Sequence, residues 1–437
     1  MYNEKLDEPY SHHILEHSVE ARSKLKLYAR INFGVTALIT LTIWAILSIY
    51  WGANWKFQTG IHNLNGWIID FDGGIVGATV TQAYLNNTGQ KTQIDWYTVP
   101  ASMFPNGEAD ITDAIVNEKA WAAVAIHAGA TSRLDAAIAA GSGAGYDNQV
   151  ATAYAAEARN ENSYLFFVGP QLKEPLDQAV SAFPMIQAQR LGDSITGLLT
   201  TAPTLVFQPV NYTIANIRPF DIQVGTAIDF VGLIYLLILS FIAVLGNYQA
   251  RVMVTGLEKR LTFGRLILVR LLVPILMYFW LSLAYSLLSL FFHVPFDRQF
   301  GHAGFVIYWM LSWMGMLALG LAVDSLITIL TPRFIPFFLV PWIIVNVSVV
   351  FFPIEVLPTL FRYGYATPFY NISRAVRCIL FRTRNEVGMN FGILFAWIGI
   401  SFVTIPLFTW WVRRKQVLER RREQPVAPES ASEVGTA

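Results

Sequence analysis

Apolar residues gather along the chain in six long, charge-poor runs separated by polar stretches. A helix needs about 20 such residues to cross ~30 Å of hydrocarbon. The first run covers residues 31–51 and holds no charge. A polar interval, 52–226, follows it. Five more runs come after, at 230–245, 271–292, 304–330, 335–352 and 391–412. The pattern predicts an α-helical integral membrane protein with six transmembrane helices. An inserted α/β or α+β extracytoplasmic domain stands between helices 1 and 2.

Basic residues orient this framework. Arg22, Lys24, Lys26 and Arg30 precede the first run and place the amino terminus in the cytoplasm. A cleaved signal peptide fits poorly, because the run is too long and Ser48-Ile49-Tyr50-Trp51 is a poor cleavage site. Arg251, Lys259, Arg260 and Arg265 hold the next loop inside, and Thr331-Pro332-Arg333 makes a tight internal turn. The last run ends on Trp410-Trp411 followed by Arg413, Arg414 and Lys415, an aromatic belt with a basic stop that puts the carboxyl terminus inside. The expected parts are a cytoplasmic segment at 1–30, helix 1 at 31–51, the external domain at 52–226, five helices within 227–412 and a tail at 413–437, basic and then disordered after Glu423.

One segment opposes the charge rule. Arg362, Arg374, Arg377, Arg382 and Arg384 lie between the last two runs, which the count places outside. A re-entrant element over 353–388 reconciles the two, since 351–380 is too apolar for a free loop.

Within the insert, residues 66–71 read as a buried strand ending at Asp72-Gly73-Gly74, with a helix over 75–85. Further strands are expected at 92–99 and 120–126. Thr131 or Ser132 is the expected cap of a helix carrying Leu134 and Ile138. Leu172, Leu176, Val180 and Phe183 recur at helical spacing, with Pro184 expected to kink or divide that helix. Asn86 and Asn211 begin sequons suited to an external surface and are candidate glycosylation sites. Asn371 hugs the membrane and Asn346 lies within a run, so neither sequon is an expected acceptor.

Composition agrees with a membrane class. Hydrophobic residues make up 54% and charged residues 14%, against about 25% charged in a soluble domain. The net charge of +1 carries no nucleic-acid footprint. Cys378 is the single cysteine, so no intrachain disulfide forms.

Catalytic signals are weak. No Gly-x-x-x-x-Gly-Lys-Ser/Thr run is present to hold nucleotide phosphates. Gly192-Asp193-Ser194-Ile195 looks like a hydrolase nucleophile block but lacks a partner Asp-x-x-His element, and Gly141-Ser142-Gly143-Ala144-Gly145 reads as a flexible loop. Asp70 and Asp72 suit a turn or cap better than a metal, because no His or Cys stands at ligand spacing. His127 is isolated, and His12, His13 and His17 have no second ligand set. Neither an enzyme nor a metal or cofactor site is expected. Charges inside runs weigh more, because burying one in lipid is costly. Asp324 lies about two turns inside the fourth run, and Arg270, at the edge of the third, is placed to snorkel. Gly315, Ala318, Ala322 and Ser325 form one small-residue stripe, with Gly320 and Asp324 nearly opposite, so both faces call for protein or a wet cavity. Asp324, with Arg270, is the candidate intramembrane polar site.

The residues Trp67-Ile68-Ile69-Asp70-Phe71-Asp72-Gly73-Gly74 with Val76-Gly77, then Ala120-Trp121-Ala122-Ala123-Val124 and Ala130-Thr131, and late Leu357-Pro358, Tyr363-Gly364-Tyr365-Ala366-Thr367-Pro368 and Arg374, resemble the fungal nitrosoguanidine-resistance proteins, which are permease-like. The order of parts is similar to the membrane half of type-2 ATP-binding-cassette exporters. The resemblance covers roughly residues 30–415. It implies export of, or resistance to, toxic small molecules at the plasma membrane, with lipids, an amphipathic substrate, a homodimer and a separate ATPase as partners. The alternative is a non-transporting scaffold or regulator whose external domain binds a partner.

Overall fold

The structure is a computed structural model that describes residues 19–423. His12, His13, His17 and the tail after Glu423 lie outside the described residues. Among the described residues five helices are long and apolar enough to cross a membrane.

The first helix, α1, runs over Val19–Thr42 and continues through a π-helical turn, Ile43–Leu47, into Ser48–Asn54. It starts twelve residues before the expected run at 31, because Arg22, Lys24, Lys26 and Arg30 extend the helix without interrupting it. None of its apolar window is buried within the chain, so that face is left for lipid.

The polar interval forms a five-stranded sheet. Strand β1, Asn65–Asp70, leads into helix α2, Ile75–Asn86, and β2 follows at Asp95–Thr98. Helix α3 is Glu108–Val116, β3 is Ala122–Ile126 and α4 is Ala130–Ala139. The remaining elements are β4, Gln149–Ala155, the long helix α5, Gly169–Leu191, and β5, Asn211–Asn216. Strand β1 pairs in parallel with β2 and β3; β4 is antiparallel to β3, and β5 is parallel to β4. Side chains alternate across the sheet. Ile68, Val124 and Ile126 join one core with Val80, Leu134 and Leu176. Ile69, Ala123 and Ala125 face Ile111 and Ile115 of α3 on the other side. Each such buried Ile contributes about 1.5–3 kcal/mol. Helix α5 runs on through Pro175 and Pro184, so of the two expected outcomes at Pro184, a kink or a division, the division does not occur.

The turn after β1 explains its Asp and Gly residues. Asp70 Oδ1 accepts from the backbone N–H of Asp72 (2.8 Å) and Gly73 (3.0 Å). A Cβ on Gly77 would lie 2.4 Å from the Asp70 carboxylate, so glycine is required there. Asp72 accepts from Thr131 N (2.8 Å) and Thr131 Oγ1 (2.5 Å). Thr131 therefore does not cap its own helix. The residue before α4 is Gly129, at φ 67°, and Thr131 instead accepts from Val76 N at the start of α2.

The membrane part contains α6, Val231–Tyr248, α7, Phe263–Phe291, α8, Ala303–Val347, α9, Pro368–Phe381, and α10, Val387–Glu423. Helix α8 breaks at Thr331, whose φ of 63° and ψ of 160° are not helical. The break is a reversal. A Cβ on Gly315, before it, would meet Ile372, while Asn346 Oδ1, after it, accepts from Phe369 N at 3.2 Å. Residues 315 and 346 would stand about 46 Å apart on a straight helix, yet both touch α9.

Helix α9 is 14 residues long, shorter than the ~20 needed for a crossing. Its arginines are paired. Arg374 meets Glu118 and Glu386, and Arg377 meets Glu161 (2.5 Å) and Asp229 (2.7 Å). Arg159 adds contacts to Glu118 (4.0 Å) and Glu355 (3.9 Å). Arg382 donates to Arg298 O, Arg384 lies 3.1 Å from Glu386, and Arg362 is exposed. These ion pairs clasp the sheet onto the segment between α8 and α10. A second seam runs beside them: Asn160 and Asn162 donate to Phe351 O, and Gly60 lies so close to Val356 O that a Cβ would stand 2.2 Å from it.

Candidate intramembrane polar site

The two charges singled out within the apolar runs meet. Arg270 on α7 and Asp324 on α8 are both 1% exposed, and Arg270 Nη2 lies 2.8 Å from Asp324 Oδ2. Arg270 does not snorkel. Its Nε also donates to Oδ2 (3.3 Å), Nη1 to Thr409 Oγ1 on α10 (2.8 Å), and Nη2 to Asp324 O (2.7 Å) and Thr328 Oγ1 (2.7 Å). Three helices thus converge on one planar guanidinium, whose fork of donors suits several fixed acceptors at once.

A second buried arginine joins them. The chain continues from α6 through a π-helical segment, Gln249–Val254, which turns Arg251 inward to 3% exposure. Its Nε donates to Glu258 Oε2 at 2.7 Å, and its Nη2 lies 3.8 Å from Asp324 Oδ1. Two guanidinium groups and two carboxylates therefore balance. Desolvating each ion costs several kcal/mol, so such a cluster persists only with good geometry. It is not fully used: Asp324 Oδ1 accepts no hydrogen bond, and Arg251 Nη1 donates none, among the described residues.

Both faces of the first half of α8 are covered by protein. Gly320 lies against the Tyr278 ring, where a Cβ would stand 2.2 Å from the hydroxyl. Tyr278 Oη in turn donates to Ser240 O on α6 (3.1 Å). On the other face Gly315 approaches Leu236 and Ile372, and Ser325 Oγ donates to Thr404 Oγ1 on α10 (2.8 Å). Below the cluster a polar cavity of about 230 Å³ is lined by Glu258, Lys259, Thr328, Thr409, Arg413 and Arg420 among others. Thr328 and Thr409 belong to both the cavity wall and the Arg270 shell.

From the sequence Arg251 reads only as a loop cation, and Glu258, Thr328 and Thr409 carry no assignment. One signal was present: Glu258 is the single acid among Arg251, Lys259, Arg260 and Arg265, so a specific pairing there is the economical expectation. The threonines carried no signal, because Ser and Thr inside apolar runs commonly bond their own helix.

Other candidates are placed as follows. Asn86 is exposed at the end of α2, where its Oδ1 accepts from Gln82 Nε2. Asn211 is half-buried at the start of edge strand β5 and accepts from Tyr212 N. Asn346 and Asn371 are buried. His127 is tied to Gln149 O (3.0 Å) and Thr152 Oγ1 (2.8 Å). Burial works to raise the pKa of Asp72, but its bonds from Thr131 and the nearby backbone outweigh that and hold it below its ordinary value. Gly192, Asp193 and Ser194 form an exposed turn between α5 and the helix Ile195–Thr201.

Comparison with known proteins gives the chain a family. Residues 35–403 match the model of the family described as "Protein of unknown function (DUF3533)", and the chain belongs to that family. It is also 32% identical over 209 residues to an uncharacterized endoplasmic reticulum membrane protein of Saccharomyces cerevisiae. That match takes in 47% of this chain and spans 40% of the relative's length. No solved structure matches. With its long apolar helices, the chain is a multi-pass integral membrane protein.

Proposed function

We propose that this family member is a permease-like protein that moves a toxic amphipathic small molecule or a lipid across its membrane, without an ATPase or catalytic centre of its own. The observation that carries the reading is the buried cluster at Asp324. Ionisable groups inside membrane helices are rare and mark substrate or ion pathways by default. Here one carboxylate oxygen and one guanidinium nitrogen are left without hydrogen bonds, and the shell around them opens on a polar cavity. A substrate's polar group can exchange against such unused valences without first breaking the Arg270–Asp324 bond.

Topology supports the same reading. Helix α8, at 45 residues, would measure about 67 Å if straight, twice the ~30 Å of hydrocarbon. Its reversal at Thr331 supports counting it as two crossings, giving six in all with both ends on the basic, cytoplasmic side. The sheet then stands outside, and the 353–388 segment is re-entrant. The resemblance to nitrosoguanidine-resistance proteins and to exporter membrane halves supports toxin export. It also supports a separate ATPase or a second copy as the source of drive. The relative's name supports the endoplasmic reticulum as well as the plasma membrane as the site of residence.

The test is drug accumulation in deletion, wild-type and Asp324→Asn cells. Export predicts high intracellular drug in the deletion and in Asp324→Asn, and low drug in the wild type. Equal drug in all three would sink the transport reading. Tolerance kept by Asp324→Asn but lost on removal of residues 60–215 would favour the scaffold alternative.

A further inference from the structure

We infer that the cavity at the basic end of the bundle binds the phosphomonoester headgroup of an anionic phospholipid. It lies between the segment after α6, the end of the first half of α8 and the last turns of α10. Its wall carries three cations, Lys259, Arg413 and Arg420, against one carboxylate, Glu258. Arg413 is fixed, with Nη2 donating to Glu258 O (2.5 Å) and Leu261 O (3.0 Å). Lys259 and Arg420 are exposed at the mouth, and no described residue pairs with either. Their charges are therefore available to a ligand. An anion suits this wall.

The inner wall backs onto the buried cluster, whose charges balance, and adds polar groups rather than net charge. Thr328 and Thr409 line the cavity, and their hydroxyls accept from Arg270, so a buried guanidinium stands directly behind them. Arg251, 3% exposed and bonded to the cavity residue Glu258, has an Nη1 with no hydrogen-bond partner. At about 230 Å³ the space exceeds the 10–15 Å³ that a water needs by roughly an order of magnitude.

Two features favour a lipid over a soluble phosphate. Leu261, Val412 and Val417 supply an apolar rim beside the charged wall, which suits acyl chains. Trp410 and Trp411 set this level at the membrane–water interface. Basic pockets between helices on the cytoplasmic side are a recurrent form of headgroup site. This inference does not depend on the transport reading, because binding is measured without transport.

The experiment uses the purified full chain in nanodiscs. Binding is compared for phosphatidylcholine alone, for the same bilayer with 10 mol% phosphatidylinositol monophosphate, and with soluble inositol phosphate added to the plain bilayer. Lys259→Gln/Arg420→Gln removes the two available charges. Arg260→Gln/Arg421→Gln removes two charges from the same end outside the cavity. We expect the phosphorylated lipid to bind wild type and the Arg260/Arg421 control alike, and to bind Lys259→Gln/Arg420→Gln roughly ten- to thirtyfold more weakly. Equal weakening in both double variants would reduce the effect to general charge and overturn the site. Undiminished binding in Lys259→Gln/Arg420→Gln would do the same. Soluble inositol phosphate binding as tightly as the lipid would overturn the lipid assignment.

Discussion

Arg374 Nη2 donates to Glu118 Oε2 at 3.0 Å, joining residues 256 positions apart. Glu118 is nearly buried, and Arg159 approaches it from a second side. Removing one partner of a buried pair costs about 3–5 kcal/mol, because the other is left uncompensated. Glu118→Gln and Arg374→Gln should each lower the thermal midpoint by several degrees. The double variant should lose less than the sum of the two, and a double-mutant cycle checks this. Strict additivity would show that the pair is not coupled.

The same carboxylate makes stability depend on acid. Burial works to raise the Glu118 pKa, but Arg159 and Arg374 outweigh it and hold it below the ordinary 4.5. A group depressed in the folded state stabilises above its unfolded pKa and ceases to do so as pH falls through the folded one. Resistance of the sheet to proteolysis should therefore hold at neutral pH and decline once the pH drops below about 4.5. In Glu118→Gln that part of the decline should be missing, as limited digestion across a pH series would reveal.

Asp324→Asn leaves Arg270 buried without its counter-ion and should destabilise by about 3–5 kcal/mol. Replacing both charges with apolar residues of similar volume is often neutral or stabilising. Arg270→Met/Asp324→Leu should thus recover expression and melting while tolerance stays lost. Recovery of tolerance along with stability would make the pair purely architectural.

The reversal at Thr331 is open to chemical labelling. Cys378 is the single cysteine and is buried, so Cys378→Ser gives a silent background. With six crossings, a cysteine at Arg333 should react with an impermeant thiol reagent only from the cytoplasmic face. One at Arg384 should react only from the opposite face. Labelling of both positions from one face would remove the re-entrant reading.

Thr331 also holds a backbone conformation, φ 63° with ψ 160°, that is adopted almost only by glycine and costs an L-residue of order 1–3 kcal/mol. Thr331→Gly should leave the midpoint unchanged or raise it, whereas Thr331→Ala should not raise it. Melting of the two purified variants decides.

Periodic features of this fold were readable and partnerships were not. The apolar runs, the buried strand at Trp67–Ile69 and the helices around Leu134 and Leu176 all follow from spacing within one element. The break at Thr331 was legible because Pro332 disfavours a helical residue before it. Strand β4 was missed because Gln149-Val150-Ala151-Thr152-Ala153-Tyr154-Ala155 is alanine-rich and low in strand preference. Strand β5 lies at an edge and follows irregular turns. Asp324 and Arg270 stood out because charge in an apolar run is conspicuous. Their remaining partners lie in a basic loop and in Thr side chains, where nothing periodic distinguishes them. Likewise the arginines of α9 looked misplaced only because Glu118, Glu161 and Asp229 come so much earlier in the chain.

That separation has a consequence for synthesis. Glu118, Glu161 and Asp229 emerge from the ribosome well before Arg374 and Arg377. Until α9 arrives, the young chain carries acidic groups that have no counter-ions from that helix. A chain cut short before residue 374 therefore keeps its sheet and the seam to Phe351 and Val356 but lacks the ion pairs made by α9. In such a product Glu118 keeps Arg159 alone, while Glu161 and Asp229 lack the one guanidinium that faces them both.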